Sequence, residues 1–376
     1  MPQTQFKWSE TPAAESRARA ARFLFLTPLM AGADGISEMT RQWVRVLESR
    51  IGYDAEALEV WSLDDERRPP DIGASSTFRT ARGGRLRFAS FALEGGVATA
   101  SDIVVIVMHL HLLPVALPLV WRGARLVTML MGIEAWTPLD LLQKIAMQRA
   151  WKVIAISAHT ADRFRAANPW AADIPITVCH PGVPPMPRLA ARANDGRYAL
   201  IVGRMDASER YKGHDALIEA WPLVRRTVPD ARLIVVGEGN DSSRLRRKAK
   251  DTCDAITFLG RVDPPTLATL YRDATLFVMP STDEGFGLVY LEAMRASTPC
   301  IAVRGAAEEI ITDGQDGLIV KAGHSDELVA AMVHLFVDKP ARMRMGAAAA
   351  RRVNTQFDAA ALRRRVRAAL ELERVR

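Results

Sequence analysis

Residues 281–292, STDEGFGLVYLE, place two glutamates and two glycines at a spacing that can hold an anion between hydroxyl groups. The apolar run at 275–279 before them reads as a buried strand, and the stretch itself reads as a loop and the first turns of a helix. Gly285 and Gly287 let backbone approach a ligand closely, and a helix start offers unpaired N–H groups and a partial positive charge to a phosphate. Glu284 precedes the loop and Glu292 falls a turn or two inside the helix, so a carboxylate stands on either side of the anion position. A phosphate in the middle with hydroxyls at both ends describes a nucleotide sugar. Taken alone, the same four residues equally describe a tight strand-to-helix turn with two solvated glutamates. A ligand site also needs countercharge.

Countercharge stands at 198–221, YALIVGRMDASERYKGHDALIEAW, which runs strand, loop, helix. Gly203 ends the strand, Arg204 follows it, and Lys212-Gly213 opens the helix. Either cation alone would be an ordinary surface charge. A guanidinium fork and an ammonium on one rim suit a diphosphate, binding it and then stabilising the charge that grows as it departs.

These segments need a scaffold that brings strand ends together. The chain has 376 residues, beyond the ~250–300 at which one core usually divides, so two domains are expected. Strands alternate with helices throughout, which implies parallel sheets with right-handed crossovers and ligands at the carboxyl ends of the strands. A polar tail covers 1–20. The first domain, 21–183, contains strands at 22–27, 55–61, 103–107, 125–130 and 153–157. Helices are expected from Gly35, from about Pro114, at 138–150 and at 158–167. His109, His111, Met131, Gly132 and Glu134 all follow strand ends, which places them on one rim. A linker rich in Pro and small residues occupies 184–197. The second domain, 198–355, has strands at 198–202, 232–236, 256–258, 275–279 and 299–303, and a C-terminal helix at 356–376 is free to cross back to the first domain. Arg363, Arg364, Arg365 and Arg367 read as its solvated face.

Composition excludes several classes. Hydrophobic content of 49% and charged content of 25% are those of a soluble globular protein. The formal charge of +7 is spread along the chain and does not demand nucleic acid. It is compatible with anionic substrates or an anionic membrane surface, and RTARGGRLRF at 79–88 is the basic segment for such a contact, or else a solvated surface. Cys179, Cys253 and Cys300 are too few and too scattered for a disulfide framework or a zinc site, which fits a reducing cytosol. The N-terminus is polar where a signal peptide would be apolar. Residues 103–121 carry no formal charge over 19 positions, but two prolines and two histidines suit a strand, a loop and a helix better than a membrane span.

The segments VGRMDASERYKGH, VVGEGN, FLGRV, MPSTDEGFGLVYLEAM and EEIITDGQDGLIV, in this order, resemble the C-terminal domain of the family 4 retaining glycosyltransferases of the GT-B fold. The resemblance is strong over about 198–322 and weaker but continuous over 22–183, where GADGIS, HLHLLP, MGIEAW and HPGVP stand for the N-terminal landmarks. It implies two Rossmann-like domains facing across a cleft, with the acceptor on the first and the donor nucleotide sugar on the second. Arg204 and Lys212 would bind the donor diphosphate and Glu284 the sugar hydroxyls. Backbone N–H groups from Gly285 through Phe286 and Gly287 to Leu288 would hold sugar and phosphates, beside Gly203 and, from the other domain, Gly35. Glu292 would take the ribose, and the backbone at Arg261-Val262 the base. No metal and no cofactor are implied. The family pattern His-Gly-Ile-Glu reads Met131-Gly132-Ile133-Glu134 here, so acceptor positioning rests on His109, His111, Met131 and Glu134.

The expectation is a cytoplasmic enzyme, peripheral at the inner face of the membrane. It would move a hexose from a UDP- or GDP-linked sugar to an acceptor hydroxyl, such as a lipid-linked saccharide of bacterial surface polysaccharide synthesis. A catalytically silent nucleotide-sugar binder and a sugar-nucleotide epimerase on the same fold remain as alternatives. An NAD enzyme is disfavoured because neither half has G-x-G-x-x-G between strand and helix.

Overall fold

The computed structural model describes residues 22–32, 34–49, 58–70, 72–74, 76–94, 101–183 and 197–371; the expected tail at 1–20 and nearly all of the linker at 184–197 lie outside them. In the N-terminal half, β1 (Arg22–Thr27), α1 (Gly35–Glu48), β2 (Leu58–Ser62), β3 (Thr77–Thr80), α2 (Arg85–Phe91), β4 (Ile103–Val107), α3 (Leu113–Trp121), β5 (Arg125–Leu130), α4 (Leu141–Met147), β6 (Ala150–Ala155), α5 (Ala158–Ala167) and β7 (Ile176–Val178) follow one another. They form a seven-stranded sheet of order β3-β2-β1-β4-β5-β6-β7.

The second half repeats the scheme with β8 (Tyr198–Val202), α6 (His214–Thr227), β9 (Arg232–Val236), α7 (Ser242–Thr252), β10 (Ile256–Gly260), α8 (Pro264–Asp273), β11 (Leu276–Met279), α9 (Leu288–Arg295), β12 (Cys300–Val303) and β13 (Gly317–Val320). Its six strands are ordered β10-β9-β8-β11-β12-β13. Three helices, α10 (Ser325–Val337), α11 (Lys339–Gln356) and α12 (Ala359–Ala369), end the chain. Pairing is parallel throughout both sheets.

Each sheet has one topological switch point, where the chain stops adding strands on one side and starts on the other. These lie between β1 and β4 and between β8 and β11. Ligands of open parallel sheets bind in the crevice that opens there. The central strands β4, β11 and β12 are buried along their whole length, as sheets covered by helices on both faces require.

The uncharged run at 103–121 divides into β4, a 3₁₀ turn at Leu110–Leu112 and α3. Among the described residues no helix is long and apolar enough to cross a membrane. Several boundaries differ from expectation. The basic segment at 79–88 is part of the edge strand β3 and of α2, neither of which hydrophobic patterning reveals. Helix α4 is shorter than 138–150, because Asp140 caps it in a reciprocal box with Gln143, and β6 begins at Ala150.

Arg365 is not on a solvated face. It donates to the carbonyls of His180 (3.0 Å), Pro181 (3.2 Å) and Gln356 (2.6 Å), so α12 lies against the end of the N-terminal half. There Gln42 of α1 exchanges two hydrogen bonds with Gly182, and Val183 N–H donates to Phe357 C=O at 2.8 Å.

Candidate functional site

The second switch point gathers the residues expected to bind the donor. Arg204 and Lys212 follow β8, the Ser281–Gly287 loop follows β11, and these strands are neighbours. Thr282 N–H donates to Tyr211 C=O at 3.0 Å, tying the two loops together. Gly213, which caps α6 with φ +84°, packs so tightly on Pro280 that a Cβ would lie 2.6 Å from its ring and carbonyl. Any L-residue there would be strained and would push the two loops apart.

Both cations share one carboxylate. Glu209 pairs with Arg204, and its other oxygen lies 3.1 Å from Lys212 Nζ. Arg204 is 63% exposed, whereas Lys212 and Glu209 are largely covered. Both cations are legible in the sequence and Glu209 is not; its place three residues before Lys212, at the kink of a six-residue 3₁₀ segment, is the available signal.

Burial raises the Glu284 carboxyl above its ordinary range, opposed by Lys212 and by Ser281 Oγ, which donates to it at 3.3 Å. Burial also raises Glu292, whose Oε2 accepts from Tyr271 O–H at 2.8 Å. Among the described residues, the N–H groups of Gly285, Phe286, Gly287 and Leu288 have no protein acceptor. Four N–H groups without a protein acceptor thus follow β11, beside an ammonium and a guanidinium that both act on the Glu284 carboxyl, an arrangement able to neutralise a diphosphate. Gly203 lies against Lys212 and His214. Arg261 and Val262 sit on the same rim at the end of β10, with Arg261 N–H reaching Glu238 Oε1 at 3.4 Å. Tyr271 is a partner for Glu292 that sequence spacing does not reveal.

The acceptor-side residues are split. Met131 and Glu134 come to the donor loop, while His109 and His111 sit one strand over, at the first switch point. Met131 is 7% exposed and packs in the core that also holds Phe286. Its N–H donates to Glu134 Oε1 at 2.6 Å, and burial drives that carboxyl up to about 7. His109 caps the 3₁₀ turn, its Nδ1 accepting from His111 N–H at 3.3 Å. Burial, aided by His111, pulls the His109 imidazole down to about 4, so it is neutral at physiological pH. Gly35 begins α1 and has open space where a Cβ would be, but the N–H groups of Ile36 and Ser37 are already taken by the capping Asp34.

The two halves touch at the donor loop. A Cβ on Gly285 would lie 2.8 Å from Gly132 Cα and 2.9 Å from Met131 C=O. Gly285 is therefore required by the packing of the opposite domain, whether or not a ligand approaches it. Phe286 is buried and stacks on His180 with ring centroids 5.3 Å apart, so its side chain is committed to packing against the N-terminal half. Glu309, unremarkable in the sequence, accepts from Ala158 N–H, His159 N–H and His180 Nε2, each at 2.8 Å. These contacts lower its carboxyl pKa against an opposing burial effect. Among the described residues no group of three or more His, Cys, Asp or Glu side chains is placed to hold a metal ion.

Residues 196–338 match the family model described as glycosyl transferases group 1. The chain is 37% identical over 154 residues to a GDP-mannose-dependent monoacylated alpha-(1-6)-phosphatidylinositol monomannoside mannosyltransferase of Corynebacterium glutamicum, covering 39% of this chain and 40% of that one. It is 36% identical over 185 residues to a phosphatidyl-myo-inositol mannosyltransferase of Mycobacterium leprae, 49% of each chain. The matches thus span half or less of these curated relatives. In structure it is similar to Anabaena HepE, solved in complex with UDP and glucose, at a TM-score of 0.72 and 18% identity over 93% of this chain and 99% of that one.

Proposed function

We propose that this chain, a GT-B protein whose residues 196–338 form a glycosyl transferases group 1 domain, transfers a hexose from a nucleotide diphosphate sugar to an acceptor hydroxyl with retention of configuration and without a metal. The observation that carries this reading is the convergence of Arg204, Lys212 and the unpaired N–H groups of 285–288 at the β8/β11 switch point. Arg204 and Lys212 hold the diphosphate and stabilise the leaving nucleoside diphosphate. Glu284, at the sugar end, takes hexose hydroxyls, and Glu292 takes the ribose. A donor phosphate oxygen accepts the acceptor's proton, so the histidine position occupied by Met131 is not required as a base. A GDP-linked hexose is favoured, since a relative named as a GDP-mannose-dependent mannosyltransferase is 37% identical over 154 residues.

The acceptor is a lipid-linked headgroup presented at a membrane surface. Supporting this, Leu86 is 89% exposed among the exposed Arg82, Arg85 and Arg87 around the start of α2, and Trp121, 64% exposed, ends the neighbouring helix α3, whose following residue Arg122 donates to Ala92 C=O just after α2. Apolar side chains beside exposed cations suit the interface of an anionic bilayer.

Thermal denaturation with GDP-, UDP- and ADP-sugars tests the donor assignment. A bound nucleotide sugar at a hundred times its Kd stabilises the chain by about 2.7 kcal/mol, and Arg204→Ala or Lys212→Ala abolishes the stabilisation. No stabilisation with any of the three, or unaltered turnover in both variants, overturns the reading.

A further inference from the structure

The donor loop is held from across the cleft by two hydroxyls that no motif identifies. Gly285 C=O accepts from Ser157 Oγ at 2.6 Å and from Thr160 Oγ1 at 3.1 Å, and both side chains are fully buried. Ser157 also caps α5 by accepting from Thr160 N–H at 2.9 Å. Its hydroxyl proton is thus committed to Gly285 and a lone pair to its own helix.

The consequence comes from peptide geometry. The 285–286 bond is trans, so its C=O and N–H point in opposite directions. Pinning the carbonyl toward α5 therefore turns the Phe286 N–H away from α5, and that N–H is one of the four in this loop without a protein acceptor among the described residues. Gly132 and Met131 press on Gly285 from the same side, which limits how far the peptide can rotate while the domains are together. Glu309 adds a second grip by capping the N–H groups of Ala158 and His159.

We propose that Ser157 and Thr160 are positioning residues of the N-terminal domain that aim the Phe286 N–H at the donor diphosphate, so that the donor grip is complete only when the two domains are closed. This rests on the nucleotide-sugar reading above. Neither hydroxyl touches the donor; each acts through the Gly285 carbonyl.

The experiment measures GDP and UDP affinity by calorimetry, and KM and kcat for hydrolysis of the matching nucleotide sugar, in the full chain. Thr160→Val keeps shape and removes one donor. Ser157→Ala removes the other donor together with the cap, and Thr160→Val alone separates positioning from capping, because the cap uses the Thr160 N–H and not its hydroxyl. The double variant is expected to bind nucleotide roughly 5- to 100-fold more weakly than wild type, the range for two neutral hydrogen bonds. Losing two buried hydrogen bonds also lowers the thermal midpoint without nucleotide, so affinity and kcat are compared at a temperature where circular dichroism shows both proteins fully folded, and Thr160→Ser and Ser157→Thr should restore wild-type values. Nucleotide affinity and kcat equal to wild type in the double variant overturn the inference while leaving the donor assignment intact. A wild-type chain that binds neither nucleotide overturns both.

Discussion

Replacing Glu134 with glutamine removes a titration that the cleft makes unfavourable, and the size of the effect can be worked out. The carboxyl is held at about 7 against an ordinary 4.5, chiefly by burial, with the Met131 N–H pulling the other way. One pKa unit corresponds to about 1.36 kcal/mol, so the difference amounts to about 3 kcal/mol as an upper bound. The side chain is only half-buried, and water in the cleft reduces this to ~2 kcal/mol. The sign depends on which state ionises first. Below pH 4.5 both folded and unfolded chains keep the proton, and the group contributes nothing. Between 4.5 and about 7 the unfolded chain ionises first, so stability falls as pH rises, and above 7 the loss is complete. The glutamine amide of Glu134→Gln reproduces the neutral form, including an oxygen for Met131 N–H at the 2.6 Å position. Urea denaturation monitored by tryptophan fluorescence from about pH 4 to about pH 8 should show a wild-type-to-variant gap near zero at the acid end that widens by ~2 kcal/mol in the variant's favour at the alkaline end. A gap that stays constant across the range would refute the assignment of a raised pKa to this carboxyl.

Three further outcomes rest on the same geometry. Gly285→Ala puts a methyl 2.8 Å from Gly132 Cα, where backbone on both sides cannot yield, so turnover should fall at least about tenfold while the chain still folds; scattering should show a more open pair of domains. Glu209→Gln leaves Arg204 and Lys212 without their shared anion, so nucleoside diphosphate should bind about 5- to 30-fold tighter by calorimetry, and product release should slow. Leu86→Ser with Trp121→Ser should abolish flotation with anionic vesicles yet leave nucleotide binding unchanged, whereas a double variant that floats like wild type would remove both α2 and the end of α3 from the membrane surface.

The parts of the fold legible in the sequence are those where one physical signal dominates. Strands β4, β11 and β12 are uninterrupted apolar runs because helices cover both faces, and each is readable as a strand within a residue or so. Edge strand β3, Thr-Phe-Arg-Thr, has no such run; its side chains are half-exposed, and its position is fixed by pairing with β2. Helix α2 is similar, since only Phe88 and Phe91 of its seven residues are buried. For α12, the arginine cluster reads as solvated because sequence shows charge and not the carbonyls of His180 and Pro181 that receive Arg365.

The site divides along the same line. Arg204, Lys212, Glu284 and the glycines announce themselves because each sits in a strand-loop-helix unit, and strand order alone then brings two such units to one switch point. Contacts across the cleft are the part that sequence cannot show. Gly285 has the look of a ligand-facing glycine, yet its missing side chain is demanded first by Gly132 and Met131. Ser157 carries the ordinary signal of a helix cap, and Glu309 that of a turn; both acquire a second role only when the other domain arrives. A helix cap satisfies one domain's backbone, but a cap whose proton is spent on the other domain's loop makes the shape of that loop depend on closure. Residues of this kind leave no local spacing to read, because the distance that matters runs between β6 and β11, strands of different sheets.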